Sequence, residues 1–325
     1  VVSFYAPTLY GIIIFLVISL KMCLVTGGCG FIGTPLVKRL VAEGYAVTVV
    51  DDLSTGCVAK LAKVDCEIFA SQFDNITILD DIKNKKFDTI FHLAAIPSVQ
   101  YSVENPSFTT SVNVDSTIRL FEAAIGNVDK RVFSSSAAVY GNQYDHRILD
   151  DFKKHPASPY AWQKSAIEDA GALFSSIYDI DIVSLRYFNV YGPGQRGNTS
   201  YSSVISSWCN AAIKDKELRL DGDGEQTRDY VYIDDVVSAN IIAAKYKEKF
   251  NGRSYNIATG LSVSNNEVLE YFTDYFNKLK IKKAPQRVGD IRHSLGYANK
   301  IRVHLGFEPE TNFKDGIKMT LDDAI

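Results

Sequence analysis

From residue 22 onward, short apolar runs alternate with longer stretches in which apolar positions recur every three or four residues. The short runs predict buried strands, and the longer stretches predict amphipathic helices that cover a parallel sheet. The alternation continues without an internal repeat or a low-complexity tract. The predicted strands are 23–25, 46–50, 89–93, 131–134 and 182–185, and the predicted helices are 34–43, 107–124 and 159–178.

The pattern changes after Asn189, where loops rich in Gly, Asn and Ser precede shorter, mixed elements. Residues 230–244 and 255–257 return to a pattern of strand and helix that suits the main sheet. These observations predict an α/β fold with a Rossmann-type, doubly wound parallel sheet and a smaller, interleaved lobe. We expect the sheet domain to comprise 22–190 and 229–262, and the smaller lobe to comprise 191–228 and 263–325.

Composition limits the classes of partner. The 35 basic and 38 acidic residues of the 325-residue chain are interspersed and give a net charge of -3, so no basic surface for a nucleic acid is predicted. The five cysteines form no Cys-x-x-Cys pair. This predicts reduced thiols in the cytoplasm, and neither a disulfide framework nor a metal site.

Residues 1–21 contain an apolar run that is too short to span a bilayer comfortably. No Lys or Arg precedes the run and no cleavage pattern follows it, so a signal peptide is not predicted either. We expect this leader to be extraneous, with Met22 as the functional start. A membrane-surface anchor is the alternative, and without it no membrane partner is expected.

A glycine-rich loop joins the first predicted strand to the first predicted helix and has the sequence TGGCGFIG (residues 26–33). Glycines in this position permit a tight turn and let backbone N–H groups approach a pyrophosphate at the helix N-terminus. Glycine-rich turns also form for conformational reasons alone, so the flanking strand and helix carry the interpretation. The predicted cofactor contacts in the loop are Gly27, Gly30, Phe31, Ile32 and Gly33.

Asp51 ends the second predicted strand, 18 residues beyond Gly33. A carboxylate there can accept hydrogen bonds from the adenosine ribose hydroxyls, whereas a 2′-phosphate would meet like charge. The sequence therefore predicts NAD rather than NADP as the cofactor. The alternative is that Asp51 and Asp52 only form a turn.

Tyr160 and Lys164 lie four residues apart at the start of a predicted helix, where Ser158 can cap the helix and Pro159 occupies its first turn. This spacing places both side chains on one helix face. A tyrosine phenol titrates near ~10, so its action as a base near neutrality requires a positive charge such as an ammonium or a nicotinamide ring. A solvated helix face that carries Tyr and Lys by chance is the alternative.

Four segments in this order resemble the extended short-chain dehydrogenases, the NAD-dependent epimerase/dehydratase family. They are the glycine loop, SSSAAVYG (134–141), YAWQK (160–164) and RYFN (186–189). The resemblance extends from Met22 to about Gly306 and is closest to the 4-epimerases of UDP-glucose and UDP-N-acetylglucosamine. It implies that Tyr160 is the acid/base, that Lys164 lowers the pKa of Tyr160 and holds the nicotinamide ribose, and that Ser136 hydrogen-bonds the reacting hydroxyl.

The resemblance also implies further cofactor contacts. Ala94 and Asn113 lie where the family lines the cofactor site, while His92 is expected to be structural. Where the family usually has Gly-Asp-Ile at the adenine, this chain has SQF at 71–73. The Gln72 amide is therefore the candidate adenine contact.

In the smaller lobe, the resemblance implies a site for a nucleotide sugar. Arg228 and Arg287 match arginines that grip the diphosphate, and two guanidinium groups suit a pyrophosphate dianion. Asn189 and Asp290 belong to the same predicted substrate site. Ser294 matches a position that faces the sugar 2-substituent, where a small residue admits an N-acetyl group. Arginines and a serine in surface loops, without these roles, are the alternative.

The predicted reaction is NAD-dependent 4-epimerisation of a UDP-hexose or UDP-N-acetylhexosamine through a transient 4-keto sugar. A 4,6-dehydratase, a UDP-glucuronate decarboxylase and a non-catalytic NAD-binding protein are the alternatives. Dehydratases of the family carry an Asp-Glu pair where this chain has Ser136-Ala137, and a non-catalytic relative would be expected to lose Tyr160, Lys164 or Ser136. The family commonly pairs through the helices matching 107–124 and 159–178, which implies a homodimer.

Overall fold

The computed structural model describes residues 21–142, 147–197, 202–286 and 291–325, so the apolar run of the leader lies outside the described residues. The strands are β1 (Met22–Thr26), β2 (Ala46–Asp51), β3 (Glu67–Ala70), β4 (Thr89–His92), β5 (Lys130–Ser136), β6 (Ile182–Tyr187), β7 (Asn189–Tyr191), β8 (Glu217–Asp221), β9 (Thr227–Arg228), β10 (Tyr230–Tyr232), β11 (Ser254–Ile257), β12 (Val263–Ser264), β13 (Lys280–Ala284) and β14 (His293–Ser294). The helices are α1 (Gly33–Ala42), α2 (Ile76–Lys83), α3 (Val99–Glu104), α4 (Pro106–Thr110), α5 (Ser116–Ala123), α6 (Pro159–Tyr178), α7 (Val204–Ile213), α8 (Ile233–Lys245), α9 (Asn265–Tyr275), α10 (Asn299–Leu305) and α11 (Phe313–Ala324).

Seven strands form one parallel sheet in the order β3-β2-β1-β4-β5-β6-β11. The order reverses direction beside β1, as in doubly wound folds. Apolar residues of α1 and α8 form a buried cluster with one face of the sheet, and those of α2, α5 and α6 form a second cluster with the other face. The predicted Rossmann-type sheet is therefore confirmed.

Two predicted elements differ from the observed ones. The predicted helix 107–124 is interrupted by a π-helical turn at Ser111–Asp115 between α4 and α5. Residues 230–232 form β10, which pairs with β7 in a separate two-stranded sheet rather than with the main sheet. The prediction for the main sheet was wrong there because a strand's partner is set by long-range packing, which the apolar pattern does not encode.

A third buried cluster lies apart from the two faces of the main sheet. Its members include Trp208 on α7, Phe272 on α9 and Ile317 on α11. Small sheets flank it, in the orders β12-β9-β14 and β13-β8. Within the described ranges, no helix is long and apolar enough to cross a membrane.

Candidate active site

The glycine loop after β1 is compact because its glycines leave no room for side chains. Gly27 has a φ of +70°, and a Cβ on Gly33 would lie 2.1 Å from the Gly27 carbonyl oxygen. The loop leads directly into α1, whose N-cap residue Ile32 makes no side-chain capping bond and whose first turn contains no acidic residue. Backbone N–H groups at a helix start have no intrahelical partner, so this end suits a phosphate anion.

Asp51 stands at the end of β2, directly beside the glycine loop. Its Oδ2 accepts a hydrogen bond from Cys29 N at 2.9 Å, and its Oδ1 accepts one from Leu53 N at 2.8 Å. Burial raises the pKa of Asp51, and the two backbone N–H bonds oppose that rise. A carboxylate offers about four acceptor positions, so both oxygens retain capacity to accept ribose hydroxyls.

A cavity of about 390 Å³ connects the glycine loop with the start of α6. It brings together most of the predicted cofactor and catalytic residues, although they come from separate parts of the chain. The predicted residues that line it are Gly27, Gly30, Phe31, Ile32, Gly33, Asp51, Ala94, Ser136, Tyr160 and Lys164. The loop 71–73 also lines this cavity, so Gln72 lies on the same wall as Asp51.

The start of α6 holds Tyr160 and Lys164 in this cavity. Ser158 caps the helix by accepting a bond from Ala161 N, and Pro159 occupies the first turn, as predicted. Lys164 Nζ donates to the Ser134 carbonyl oxygen at 2.7 Å and lies 5.9 Å from the centre of the Tyr160 ring. Ser136, at the end of β5, approaches the same tyrosine from the strand side.

Burial shapes the protonation of both helix residues. It raises the pKa of Tyr160 to about 12, against the opposing effect of a hydrogen bond with Ser136. It also lowers the pKa of Lys164 to about 7, and the negative charge of Glu168 opposes this fall. In the protein alone, the phenol is therefore a weak acid, and positive charge must come close before it can act as a base near neutrality.

Two residues implied by the resemblance support the cavity from behind. His92 is buried, and its ring nitrogens lie 2.7 Å from Thr26 Oγ1 and 2.9 Å from Thr117 Oγ1. Asn113 is not among the described residues that line the cavity. Its side-chain amide binds both backbone groups of Ile96 at 2.8 and 3.1 Å, and Ile96 lines the cavity in its place.

A second cavity, also of about 390 Å³, adjoins the first and shares Ser202 with it. Asn189 and Arg228 line this second cavity. Ser294 is buried on β14, directly opposite Arg228 of β9 in the strand register. The predicted contacts Arg287 and Asp290 lie outside the described residues.

Sequence reasoning missed three buried polar residues around the site. Gln163 receives a bond from Asn113 Nδ2 at 2.8 Å and donates to Thr109 Oγ1 at 2.9 Å. Asp229 accepts hydrogen bonds from Thr259, Gly260 and Gly296, and so ties three chain segments together. Glu168 is buried one helical turn beyond Lys164. Two of the three had a local signal, since Glu168 is four residues beyond Lys164 and Gln163 lies within the segment YAWQK.

Comparison with known proteins identifies relatives that span nearly the whole chain. The family model described as "NAD dependent epimerase/dehydratase family" matches residues 23–258. UDP-glucose 4-epimerase of Mycolicibacterium smegmatis is 35% identical over 306 residues, which cover 92% of this chain and 97% of that protein. UDP-N-acetyl-alpha-D-glucosaminuronate decarboxylase of Bacillus cytotoxicus is 31% identical over 319 residues, which cover 93% of this chain and 97% of that protein.

Solved structures of 4-epimerases also match nearly the whole chain. The UDP-N-acetylglucosamine 4-epimerase of Methanobrevibacter ruminantium, in complex with UDP-N-acetylmuramic acid, superimposes with a TM-score of 0.88 at 34% identity, covering 94% of this chain and 98% of the other. The UDP-glucose 4-epimerase of Thermus thermophilus, in complex with NAD, has a TM-score of 0.84 at 32% identity. The match covers 94% of this chain and 99% of the other.

Proposed function

Because the chain belongs to the NAD dependent epimerase/dehydratase family, we propose that it is a UDP-sugar 4-epimerase. Its substrate is a UDP-hexose or UDP-N-acetylhexosamine, which passes through a transient 4-keto sugar. The observation that carries the proposal is that Tyr160, Lys164 and Ser136 line one cavity with the glycine loop and Asp51. Proton transfer and dinucleotide binding can therefore take place side by side.

The residues present fit the dinucleotide. The uncapped start of α1 suits the pyrophosphate, and Asp51 suits the adenosine ribose hydroxyls. Lys164 would hold the nicotinamide ribose. NAD would supply the acceptor and donor of the hydride at the sugar C4, so the overall reaction needs no other redox partner.

The side chains of the cavity perform the proton chemistry. Ser136 hydrogen-bonds the 4-hydroxyl, and Tyr160 accepts its proton as the C4 hydride leaves. The neighbouring Lys164 ammonium favours the tyrosinate form. The 4-keto sugar then rotates in the pocket. Tyr160 returns the proton to its oxygen as hydride reaches C4 from the opposite face of the sugar. The site thus regains its starting state after each turnover.

The nucleotide half of the substrate fits the second cavity. Arg228 and Asn189 line it, and a guanidinium suits a diphosphate oxygen pair. We include Arg287 and Asp290 in this site. On this assignment, the sheet domain (22–190 and 229–262) binds the cofactor and the lobe (191–228 and 263–325) binds the nucleotide sugar.

The segment after Ser136 favours epimerisation over dehydration. Elimination of water needs an additional acid and base, whereas Ser136 and Ala137 stand at the start of a 3-10 turn. Neither residue offers a carboxylate. Incubation with UDP-glucose, UDP-galactose, their N-acetylated counterparts, UDP-glucuronate and dTDP-glucose tests the assignment. We expect exchange between C4 epimers; release of CO₂, a 4-keto-6-deoxy product or no conversion at all would refute it.

Ser294 is our candidate for the residue that admits N-acetylated sugars. It is small and buried, and it lies opposite Arg228, which lines the nucleotide cavity. We expect Ser294→Tyr to suppress turnover of the N-acetylated pair while sparing the plain pair, because a bulky ring excludes an acetamide selectively. Equal slowing of both pairs would remove this role from Ser294, as would an unmodified enzyme that ignores N-acetylated sugars.

A homodimer is the proposed assembly. Leu173 and Ile177 of α6 are 55% and 61% exposed, and Val103 and Phe108 on the neighbouring α3–α4 segment are 60% and 53% exposed. Exposed apolar side chains on these helices favour a protein interface, and the resemblance implies pairing through the regions 107–124 and 159–178. The cytoplasm is the proposed compartment, since all five cysteines are free thiols.

A further inference from the structure

A buried carboxylate lies behind the catalytic residues without touching the cavity. Glu168 follows Tyr160 and Lys164 on α6 at successive intervals of four residues, so all three share one side of the helix. Its side chain is 2% exposed. Because a charged group is stable in such a place only when it is fully paired, its partners define what it does.

Glu168 joins the catalytic helix to two strands of the sheet. Its Oε1 accepts bonds from Ser135 Oγ at 2.5 Å and from Arg186 Nε at 2.8 Å, and its Oε2 accepts one from Arg186 Nη2 at 2.6 Å. Ser135 and Arg186 are register partners on β5 and β6. The carboxylate therefore holds two neighbouring strands at the same level.

The contact of Glu168 with β5 lies one residue before the catalytic Ser136 in the strand. Lys164 binds the carbonyl of Ser134, Glu168 binds the side chain of Ser135, and the next residue in the strand is Ser136. The helix that carries Tyr160 is thus fixed to the strand that carries Ser136 by two successive bonds. A shift between helix and strand would change the separation of the tyrosine and serine hydroxyls.

Arg186 is itself held in one orientation. Its Nη1 donates to Tyr140 Oη at 2.6 Å and to the Asp150 carbonyl at 2.7 Å, and Tyr140 Oη donates to Asn256 Oδ1 at 2.6 Å. Tyr140 ends the turn that begins immediately after Ser136. The pair Glu168–Arg186 therefore also supports the segment that follows the catalytic serine.

On the basis of the proposed function, we propose that Glu168 is a positioning residue for epimerisation, which fixes Ser136 against Tyr160.

The hydrogen bond between Ser136 and Tyr160 gives this role a measurable readout. It lowers the pKa of Tyr160 against the rise that burial causes, so a displaced Ser136 should raise that pKa. The charged groups that face Glu168 are Arg186 from β6, Lys154 at 3.5 Å from the preceding loop, and Lys164 on its own helix. Arg186 neutralises part of the carboxylate charge. Removal of the Glu168 charge alone would lower the pKa of Tyr160, because a nearby carboxylate disfavours the tyrosinate. An upward shift therefore reports the position of Ser136 and not the lost charge.

Glu168→Gln tests the proposal, because it keeps the size of the side chain and removes its charge. We expect turnover at pH 7 to fall at least ~10-fold with KM for the UDP-sugar little changed. The acidic limb of the kcat profile should move to higher pH, because Tyr160 loses its bond with Ser136. Ser135→Ala is the matched control. It removes one bond to Glu168 and keeps the charge, so the positioning role predicts a fall in kcat with the same upward shift of the pH profile.

A direct titration separates this proposal from the reaction itself. Tyrosinate absorbance of the NAD-bound protein, with the signal of Tyr160→Phe subtracted, reports the ionisation of Tyr160 without any sugar. We expect the Tyr160 transition to move to higher pH in Glu168→Gln. This measurement remains decisive even if no UDP-sugar is epimerised, so failure of the proposed function and failure of the positioning role are distinguishable.

Glu168→Gln leaves Arg186 buried without its partner, which can prevent folding. The double variant Glu168→Gln/Arg186→Met removes both charges and tests the same point in a folded protein. We expect it to regain thermal stability but to keep the shifted titration. The proposal is overturned if Tyr160 titrates unchanged in either folded variant, or if the double variant recovers normal kcat. It is also overturned if neither variant folds, since the pair would then serve the fold alone.

Discussion

Replacing Asp51 with Asn tests whether this carboxylate selects the cofactor. Asp51 lines the cofactor cavity and its two oxygens already accept bonds from Cys29 N and Leu53 N. Asn keeps the size of the side chain but loses the negative charge and exchanges one acceptor for a donor. The ribose hydroxyls of NAD then lose a charged acceptor, while the 2′-phosphate of NADP loses a repulsive neighbour.

The expected size of the effect follows from these two changes. A hydrogen bond to a charged group contributes about 1.5–3 kcal/mol, and about 1.4 kcal/mol changes a dissociation constant tenfold. NAD binding should therefore weaken about 10- to 100-fold. Two like charges about 5 Å apart repel by about 3 kcal/mol at an effective dielectric constant of about 20. Removing this repulsion should tighten NADP binding.

Isothermal titration of cofactor-free protein with NAD and with NADP measures both constants. Asp80→Asn is the matched control, because it makes the same charge change on α2 at a side chain that is 55% exposed and does not line the cavity. It should leave the preference for NAD in place. Equal weakening of both cofactors in Asp51→Asn would refute the reasoning, as would the same loss of preference in Asp80→Asn.

The same substitution has a second effect that needs its own measurement. One backbone N–H, of Cys29 or Leu53, would face the new amide N–H₂ instead of an oxygen. An unsatisfied buried donor costs about 1–3 kcal/mol, which lowers the stability of the cofactor-free protein. Urea unfolding without cofactor measures this loss separately from binding.

Three further predictions concern catalysis, stability and assembly. Tyr160→Phe should keep NAD bound but lower turnover at least ~100-fold, and unchanged steady-state rates would exclude its role as acid/base. Burial lowers the pKa of His92 to about 3, so the unfolded chain alone binds a proton below about pH 6.5. Stability should then fall with decreasing pH by up to ~1.4 kcal/mol per unit, and urea unfolding of His92→Gln should show a shallower fall at pH 4–6 than the unmodified protein. Leu173→Glu/Ile177→Glu should yield monomers in light scattering, whereas Val303→Glu, at a 70% exposed position of α10, should not; an unaltered mass of the double variant would remove α6 from the interface.

The sequence by itself determined the features that depend on neighbouring residues. The glycine loop, the acid that ends β2 and the pair Tyr160–Lys164 are local motifs, since turn geometry and helical spacing follow from the chain alone. The short apolar runs likewise predicted the parallel sheet, because a strand that is buried on both faces is apolar along its whole length. These local features were enough to predict NAD and the family.

Only the tertiary structure decided which distant residues meet. Nothing near Asn113 in the sequence indicates that its amide holds Ile96 rather than lining the cavity. The pairing of β10 with β7 and the bonds from Glu168 to Ser135 and Arg186 likewise join residues far apart in the chain. Such contacts depend on how the strands order and how the helices pack against them, because buried polar groups must find partners wherever the fold places them.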